Sequence, residues 1–328
     1  MKTLPRSSIL SRYRLHLADI LLCVVPLLAY LLFPKYLALG SMVLVFALFA
    51  MSFDLLLGFA GILSLGHAAF FGIGAYTAGL LAIAGWNEAI CGVLGAALLC
   101  AAVAGVAAPF LLRLTGLPLV MVTVGISSIL LEAANKASWL TGGDDGLYGI
   151  RLRPLFGRFA WSISGETKFL YTFAWLLVSF FVIRRLVSSP FGVALQGIRE
   201  NSSRMKLMGN SVLPHLIIAF VVSATFAGVA GALWAQTGGF VGLGVLSLDT
   251  SIDVLVMLVL GGLGSLYGGL IGAPVYLVFK NFAQELNPFY WMFFVGALLI
   301  VVVRFSRGGI LGLIENSFTR LAGRKKRR

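Results

Sequence analysis

The sequence is short of charge: 11% of its 328 residues are Asp, Glu, Lys or Arg, against 59% that are hydrophobic. So little charge cannot cover a soluble globular surface, which excludes a water-soluble enzyme or nucleic-acid binder. Cysteine is equally sparse. Cys23, Cys91 and Cys100 sit in apolar surroundings without CxxC spacing or a neighbouring His, so neither a metal site nor a disulfide framework is indicated. The three histidines, His16, His67 and His215, are far apart in the chain. No GxxxxGK[ST] occurs, so the chain has no Walker-type cradle for nucleotide phosphates, and HExxH and G-x-S-x-G are absent as well. Long polar stretches are also missing. The largest interruptions, 136–167 and 187–211, leave no room for a soluble domain. No A-x-A cleavage pattern follows the first apolar run, Leu15 to Phe33, which is long for a signal-peptide core and is expected to remain as the first span.

What is present is apolar sequence in span-sized runs. A crossing helix needs about 20 apolar residues, and the chain supplies enough for eight to ten. The expected fold is all-α: a polytopic membrane protein with about ten transmembrane or re-entrant helices. The formal net charge of +13 is placed unevenly: Lys2, Arg6, Arg12 and Arg14 precede the first span, Arg184, Arg185, Arg199, Arg204 and Lys206 mark a central loop, and Arg320 and Arg324–Arg328 close the chain. Excess Lys and Arg in short loops marks the cytoplasmic side, so both termini and the central loop are expected inside. The terminal RKKRR run reads as a topology anchor, or as a hold on anionic lipid at roughly 1 kcal/mol per basic residue. Counting spans puts 136–167 outside despite its Arg and Lys. The same parity requires 252–282 to be two short spans rather than one.

Two of the apolar stretches are too broken by glycine to be ordinary helices. Residues 52–84 contain Gly58, Gly61, Gly66, Gly72, Gly74 and Gly79, with Asp54, Ser64, His67 and Tyr76 as nearly the only polar groups. Residues 252–282 carry Gly261, Gly262, Gly264, Gly268 and Gly269. Irregular backbone inside lipid survives only where protein covers it or a cavity wets it, so each stretch is either a pathway wall or a site of tight helix packing. Paired glycine-broken segments in corresponding halves point to a solute path near the bilayer midplane. Ser64 and His67, three residues apart, are the one close nucleophile–base pair; they read as an intramembrane enzyme's centre or as a packing hydroxyl and a satisfied imidazole. Asp54 would be the ion ligand of a self-sufficient secondary transporter.

The central loop, SSPFGVALQGIRENSSRMKLMGNS over 188–211, has its own signals. Ser189–Pro190 reads as a helix start and Gly209–Asn210 as a stop. Phe191, Leu195 and Ile198 recur at helical spacing, as do Met205 and Met208, with polar residues between them that bend the segment into two short helices. Such an amphipathic element lies on lipid or docks in a partner's groove.

LLLGFAGILSLGHAAFFGIGAY (55–76), TGGDDGLYGI (141–150), the 188–209 stretch, VLGGLGSLYGGLIGA (259–273) and FSRGGILGL (305–313) together resemble the LivM-type permeases of bacterial branched-chain amino acid ABC importers. The resemblance covers nearly the whole chain from Tyr36 to Leu313. It implies a transport subunit in the bacterial inner membrane that is not itself an enzyme and binds no cofactor. It also implies a heterodimer with a LivH-type permease, two cytoplasmic ATPase subunits that bind and hydrolyse ATP, and a periplasmic substrate-binding protein. On that reading 1–14 is a cytoplasmic N-terminus, 15–303 the permease domain and 304–328 a cytoplasmic tail. Asp54, Gly58, Gly61, Ser64, Gly66, His67, Tyr76, Gly261, Gly262 and Gly264 would line or gate the path. Phe191, Gly192, Leu195, Ile198, Arg199, Glu200, Met208 and Gly209 would couple it to the ATPases. The implied substrate is a branched-chain or related apolar amino acid; close relatives also carry urea and other small polar solutes. Asp54 stands where such permeases commonly have Asn, and Asn201–Arg204 is more polar and basic than is usual there.

Overall fold

A computed structural model describes residues 17–154, 161, 165–305 and 309–312. The basic N-terminus over 1–14, the onset of the first span at Leu15, and Arg320 with Arg324–Arg328 lie outside the described residues. Regular structure among the described residues is helical, apart from one isolated antiparallel pairing of Leu147 with Val241.

Helix α1, Leu17–Leu32, is followed by a 3-10 turn, Pro34–Tyr36, and by α2, Leu37–Asp54, which runs on through a π-turn at Leu55–Phe59. The continuous element Pro34–Phe59 is 26 residues long, enough at 1.5 Å per residue to exceed the ~30 Å hydrocarbon layer. It is the centre of the bundle: 83% of its apolar window is buried, against 17% for Leu117–Lys136. Then come α3 (His67–Ile83), α4 (Ala89–Leu111), α5 (Leu117–Lys136), the single turn α6 (Ser138–Thr141) and α7 (Glu166–Ser188). The central loop holds α8 (Pro190–Glu200) and α9 (Ser202–Leu207), and α10 (Val212–Gly238), α11 (Leu248–Gly261), α12 (Leu266–Leu286) and α13 (Trp291–Phe305) complete the set. Among the described residues five elements are long and apolar enough to cross a membrane, α11 and α12 form a pair bent by 112°, and α3 and α13 are shorter apolar helices. With α1 these make ten apolar helices among the described residues, in keeping with a multi-pass membrane protein.

Small residues set the packing around α2. A Cβ at Gly74 of α3 would collide with Gly228 O of α10, and one at Gly231 of α10 with Phe71 O. These backbones touch directly, the arrangement lipid-embedded helices use where apolar side chains give no advantage over lipid tails. Close packing therefore accounts for the glycines inside α3. Within the glycine-broken stretch 52–84 the chain leaves the helix after Phe59 and resumes it only at His67, because Gly61 takes φ +73° and Ile62 N bonds back to Leu56 O at 3.0 Å.

The loops sort onto two faces. Arg153 N donates to Asn87 O at 2.9 Å, and Leu147 and Val241 exchange bonds of 2.8 and 3.1 Å, so 84–88, the described part of 136–167 and 239–247 share one face. Helix α7 carries the chain from that face to the opposite one, which bears α8 and α9. The described part of 136–167 thus lies opposite the basic central loop, on the side the span count requires.

Candidate functional site

The two glycine-broken segments meet. Asp54, fully buried at the end of α2, accepts at Oδ1 from Gly264 N in the α11–α12 break at 2.8 Å. A Cβ at Gly58 would collide with that carboxylate oxygen and lie 2.6 Å from Gly264 N, so only glycine lets the π-turn and the break come together. The π-turn leaves carbonyls without their usual helical partners. One of them, Gly58 O, accepts from Nη1 of Arg199, which is on α8 of the central loop. The Arg199 stem lies over Gly61, its Cγ 2.7 Å from where a Cβ would sit, and Nη1 is 3.0 Å from the corresponding point at Gly264. One arginine from the loop therefore bonds to one interrupted segment and lies beside the other. Asp54 Oδ2 is buried without a hydrogen-bond partner among the described residues. Gly262, at φ +120°, belongs to the same break, and a Cβ at Gly309 would come within 2.5 Å of its nitrogen.

This junction sits against the central loop, not at mid-depth where paired glycine breaks were expected. The reason is length: α2 and its π-turn run right through the bundle to α8. Gly61 is exposed there, whereas Gly58, Gly66, Gly261 and Gly262 are buried. Gly66 packs against Thr123 of α5, and Gly261 against Gly268.

Ser64 and His67 are not hydrogen-bonded to each other. His67 Nε2 is 3.1 Å from Ser52 Oγ, whose own proton goes to Phe49 O at 2.7 Å, so the imidazole donates to Ser52. The ring stacks on Phe49 with centroids 5.4 Å apart and planes at 6°, and packs against Phe53 at 5.1 Å. It is a satisfied core imidazole that ties α3 to α2. Tyr76 is buried, with its hydroxyl unpartnered among the described residues.

In the central loop, Ser189 stands before helix α8 with Pro190 at its first position, and Asn201 ends α8 and caps α9 by accepting Arg204 N at 2.9 Å. The two short helices and the stop at Gly209, φ +83°, match the sequence signals. Orientation is what the spacing did not give. Gly192, Leu195 and Ile198 are buried against the chain's own bundle, Gly192 close against Val187 O, and Phe191 stacks on His215 of α10 at 5.6 Å. The outward surface is built instead from Val193, Glu200, Leu207, Met208 and Gly209, with Leu207 90% and Met208 71% exposed beside Arg204 and Lys206.

Sequence reasoning missed one charged group. Asp253 of α11 takes Lys280 Nζ of α12 at 2.6 Å and also accepts the Tyr276 hydroxyl, while the ammonium sits 4.8 Å from the Trp291 ring centroid. The signal was there: one acid and one base within the otherwise apolar 252–282. Their partnership becomes visible only once the 112° bend folds α12 back beside α11.

Residues 36–303 match the model of the family described as branched-chain amino acid transport system / permease component. The LivM permease protein of the high-affinity branched-chain amino acid transport system of Salmonella typhimurium is 30% identical over 313 residues, which is 88% of this chain and 72% of the relative. Its Escherichia coli counterpart is 31% identical over 298 residues, 83% of this chain and 69% of the relative. BraD of Pseudomonas aeruginosa, a permease protein of the same kind of system, is 30% identical over 148 residues, 45% of this chain and 47% of that protein. No solved structure matches.

Proposed function

Because the chain belongs to the branched-chain amino acid transport system permease family, we propose that it is a transmembrane subunit of an ATP-driven importer of branched-chain or related apolar amino acids. The observation that carries this reading is Arg199, which ties the loop opposite the 239–247 face to the junction of both broken segments. Energy enters from outside the lipid. One of two ATPase subunits would bind the outward surface of α8 and α9, where Leu207 and Met208 offer apolar contact and Arg204 and Lys206 positive charge. Motion of the loop would reach Gly58 and Gly264 through the arginine, and α2 against α11–α12 would open the path on one face and then the other. A LivH-type permease would complete the channel, and a periplasmic binding protein would deliver substrate to the 239–247 face. The protein would sit in the inner membrane with both termini and the 188–211 loop cytoplasmic, and ATP would bind only to the partners.

Affinity purification of this chain from its native membrane tests the assembly. A second permease and two ATPases should be recovered in stoichiometric amount, and the ligand bound to the cognate binding protein should be an aliphatic amino acid. Recovery of the chain without an ATPase would overturn the proposal. Ser64→Ala removes a buried hydroxyl with no hydrogen bond among the described residues and should leave uptake within a few-fold of wild type; loss of activity would revive the Ser64–His67 enzyme reading.

A further inference from the structure

A cavity of about 340 Å³ lies between α2, α3, α10 and the 239–247 segment, lined by Phe46, Phe71, Trp234, Phe240, Val245 and Thr250. None of the residues considered so far for the path or its coupling lines it. Its size is at the lower end of the ~300–1,000 Å³ of small-molecule sites. No charged side chain is in the lining. Phe46, Phe71 and Trp234 form an aromatic floor with centroids 5.5, 6.0 and 6.3 Å apart. Phe46 and Phe71 belong to the interior turns of α2 and α3, so the floor lies well inside the bundle. Beyond it come Phe49, stacked on His67, and the core that separates the cavity from the Asp54 junction.

The mouth is on the face opposite the central loop, and it is held in shape. The Leu147–Val241 pairing fixes 239–247, Tyr148 packs on Phe240 with centroids 4.6 Å apart, and Thr250 Oγ1 donates to Gly244 O at 2.8 Å. The result is a half-channel, open at one face and stopped by aromatic rings.

We infer that this cavity is a substrate site that takes the aliphatic side chain of an entering amino acid and sets which side chains pass. This rests on the permease reading given above and adds the element of selection. An uncharged aromatic wall gains from burying methylenes and cannot replace the hydration of a zwitterion's ammonium and carboxylate, so the charged end of the substrate stays in the mouth beside water, the Thr250 hydroxyl and the 239–247 backbone. A polar solute such as urea would give up its hydrogen bonds on entering, so the same wall rejects it. Pocket discrimination by one methylene is about 10- to 200-fold, enough to rank aliphatic substrates by size.

Gly238 and Gly244 also line the cavity, and a Cβ at either meets nothing within 4 Å. Gly238→Val and Gly244→Leu therefore add bulk at its lining without clash, and Phe240→Ala should enlarge it. The measurement is initial uptake of radiolabelled alanine, leucine and phenylalanine by the complete transporter in proteoliposomes. Each variant's rate ratios are divided by the wild-type ratios, so that the binding protein's own preference cancels. Either filling variant should lower the leucine-to-alanine ratio at least about tenfold, and Phe240→Ala should raise the phenylalanine-to-leucine ratio. Ratios equal to wild type in all three variants, including a uniform fall in every rate, would overturn the inference alone. A wild-type transporter that imports no aliphatic amino acid would overturn the permease function and this inference together.

Discussion

Arg199→Ala in the assembled transporter is expected to cut import by about 10- to 100-fold while ATP hydrolysis continues. The side chain supplies the donor to Gly58 O in the π-turn, and its stem lies against Gly61. Leaving a partly buried carbonyl unpaired costs about 1–3 kcal/mol, and a factor of ten corresponds to 1.4 kcal/mol. The loss falls on the state in which loop and junction are joined, and that joint is where work would cross from the ATPases to the membrane. Arg199→Lys separates the donor from the planar fork: one ammonium can still reach Gly58 O but presents a point charge at the crowded Gly264 edge, so partial recovery is expected. ATPase activity and uptake measured on the same proteoliposomes give the ratio. Unchanged uptake in Arg199→Ala would remove the arginine from the transmission path.

The second large effect is at the other side of the same junction. Gly58→Val should abolish accumulation of folded protein, because its Cβ collides with the buried Asp54 carboxyl and with the backbone nitrogen of Gly264, which cannot swing away as a side chain could. Overpacking costs typically 1–3 kcal/mol, and displacing the carboxylate from Gly264 N adds an unpaired amide of similar cost. Asp54 then tells structure from ion binding. Asp54→Asn keeps an acceptor for Gly264 N and should retain ATP-driven uptake within a few-fold. Asp54→Leu removes the acceptor and should lower the melting temperature of the solubilised protein. Equal damage from both substitutions would mean that the charge, rather than the hydrogen bond, is what the site requires.

Much of this was readable from the chain itself, and the boundary between readable and hidden is physical. Local signals carried through: Ser189–Pro190 starts α8, Asn201 divides the loop into two helices, and Gly209 stops it at positive φ. Span parity required 252–282 to be two short spans, and the chain there is two helices, Leu248–Gly261 and Leu266–Leu286, bent by 112°. What failed to show was anything set by contact between elements. The spacing of Leu195 and Ile198 defines a face but not the neighbour that covers it, and they pack inward. Ser64 is close to His67 in sequence, yet the imidazole turns to Ser52 on another helix. Asp253 and Lys280 pair only across the bend, and the meeting of Gly58 with Gly264 depends on α2 being long enough to reach both that break and the loop.

The most direct measurement of the central claim is uptake of labelled leucine into proteoliposomes under two driving forces. With this chain, its permease partner, two ATPases and the binding protein present, uptake should require ATP inside the reach of the ATPases, proceed without any ion gradient, and disappear when either the ATPases or the binding protein are left out. Accumulation by this chain alone, driven by a proton or sodium gradient and lost in Asp54→Asn, would contradict it.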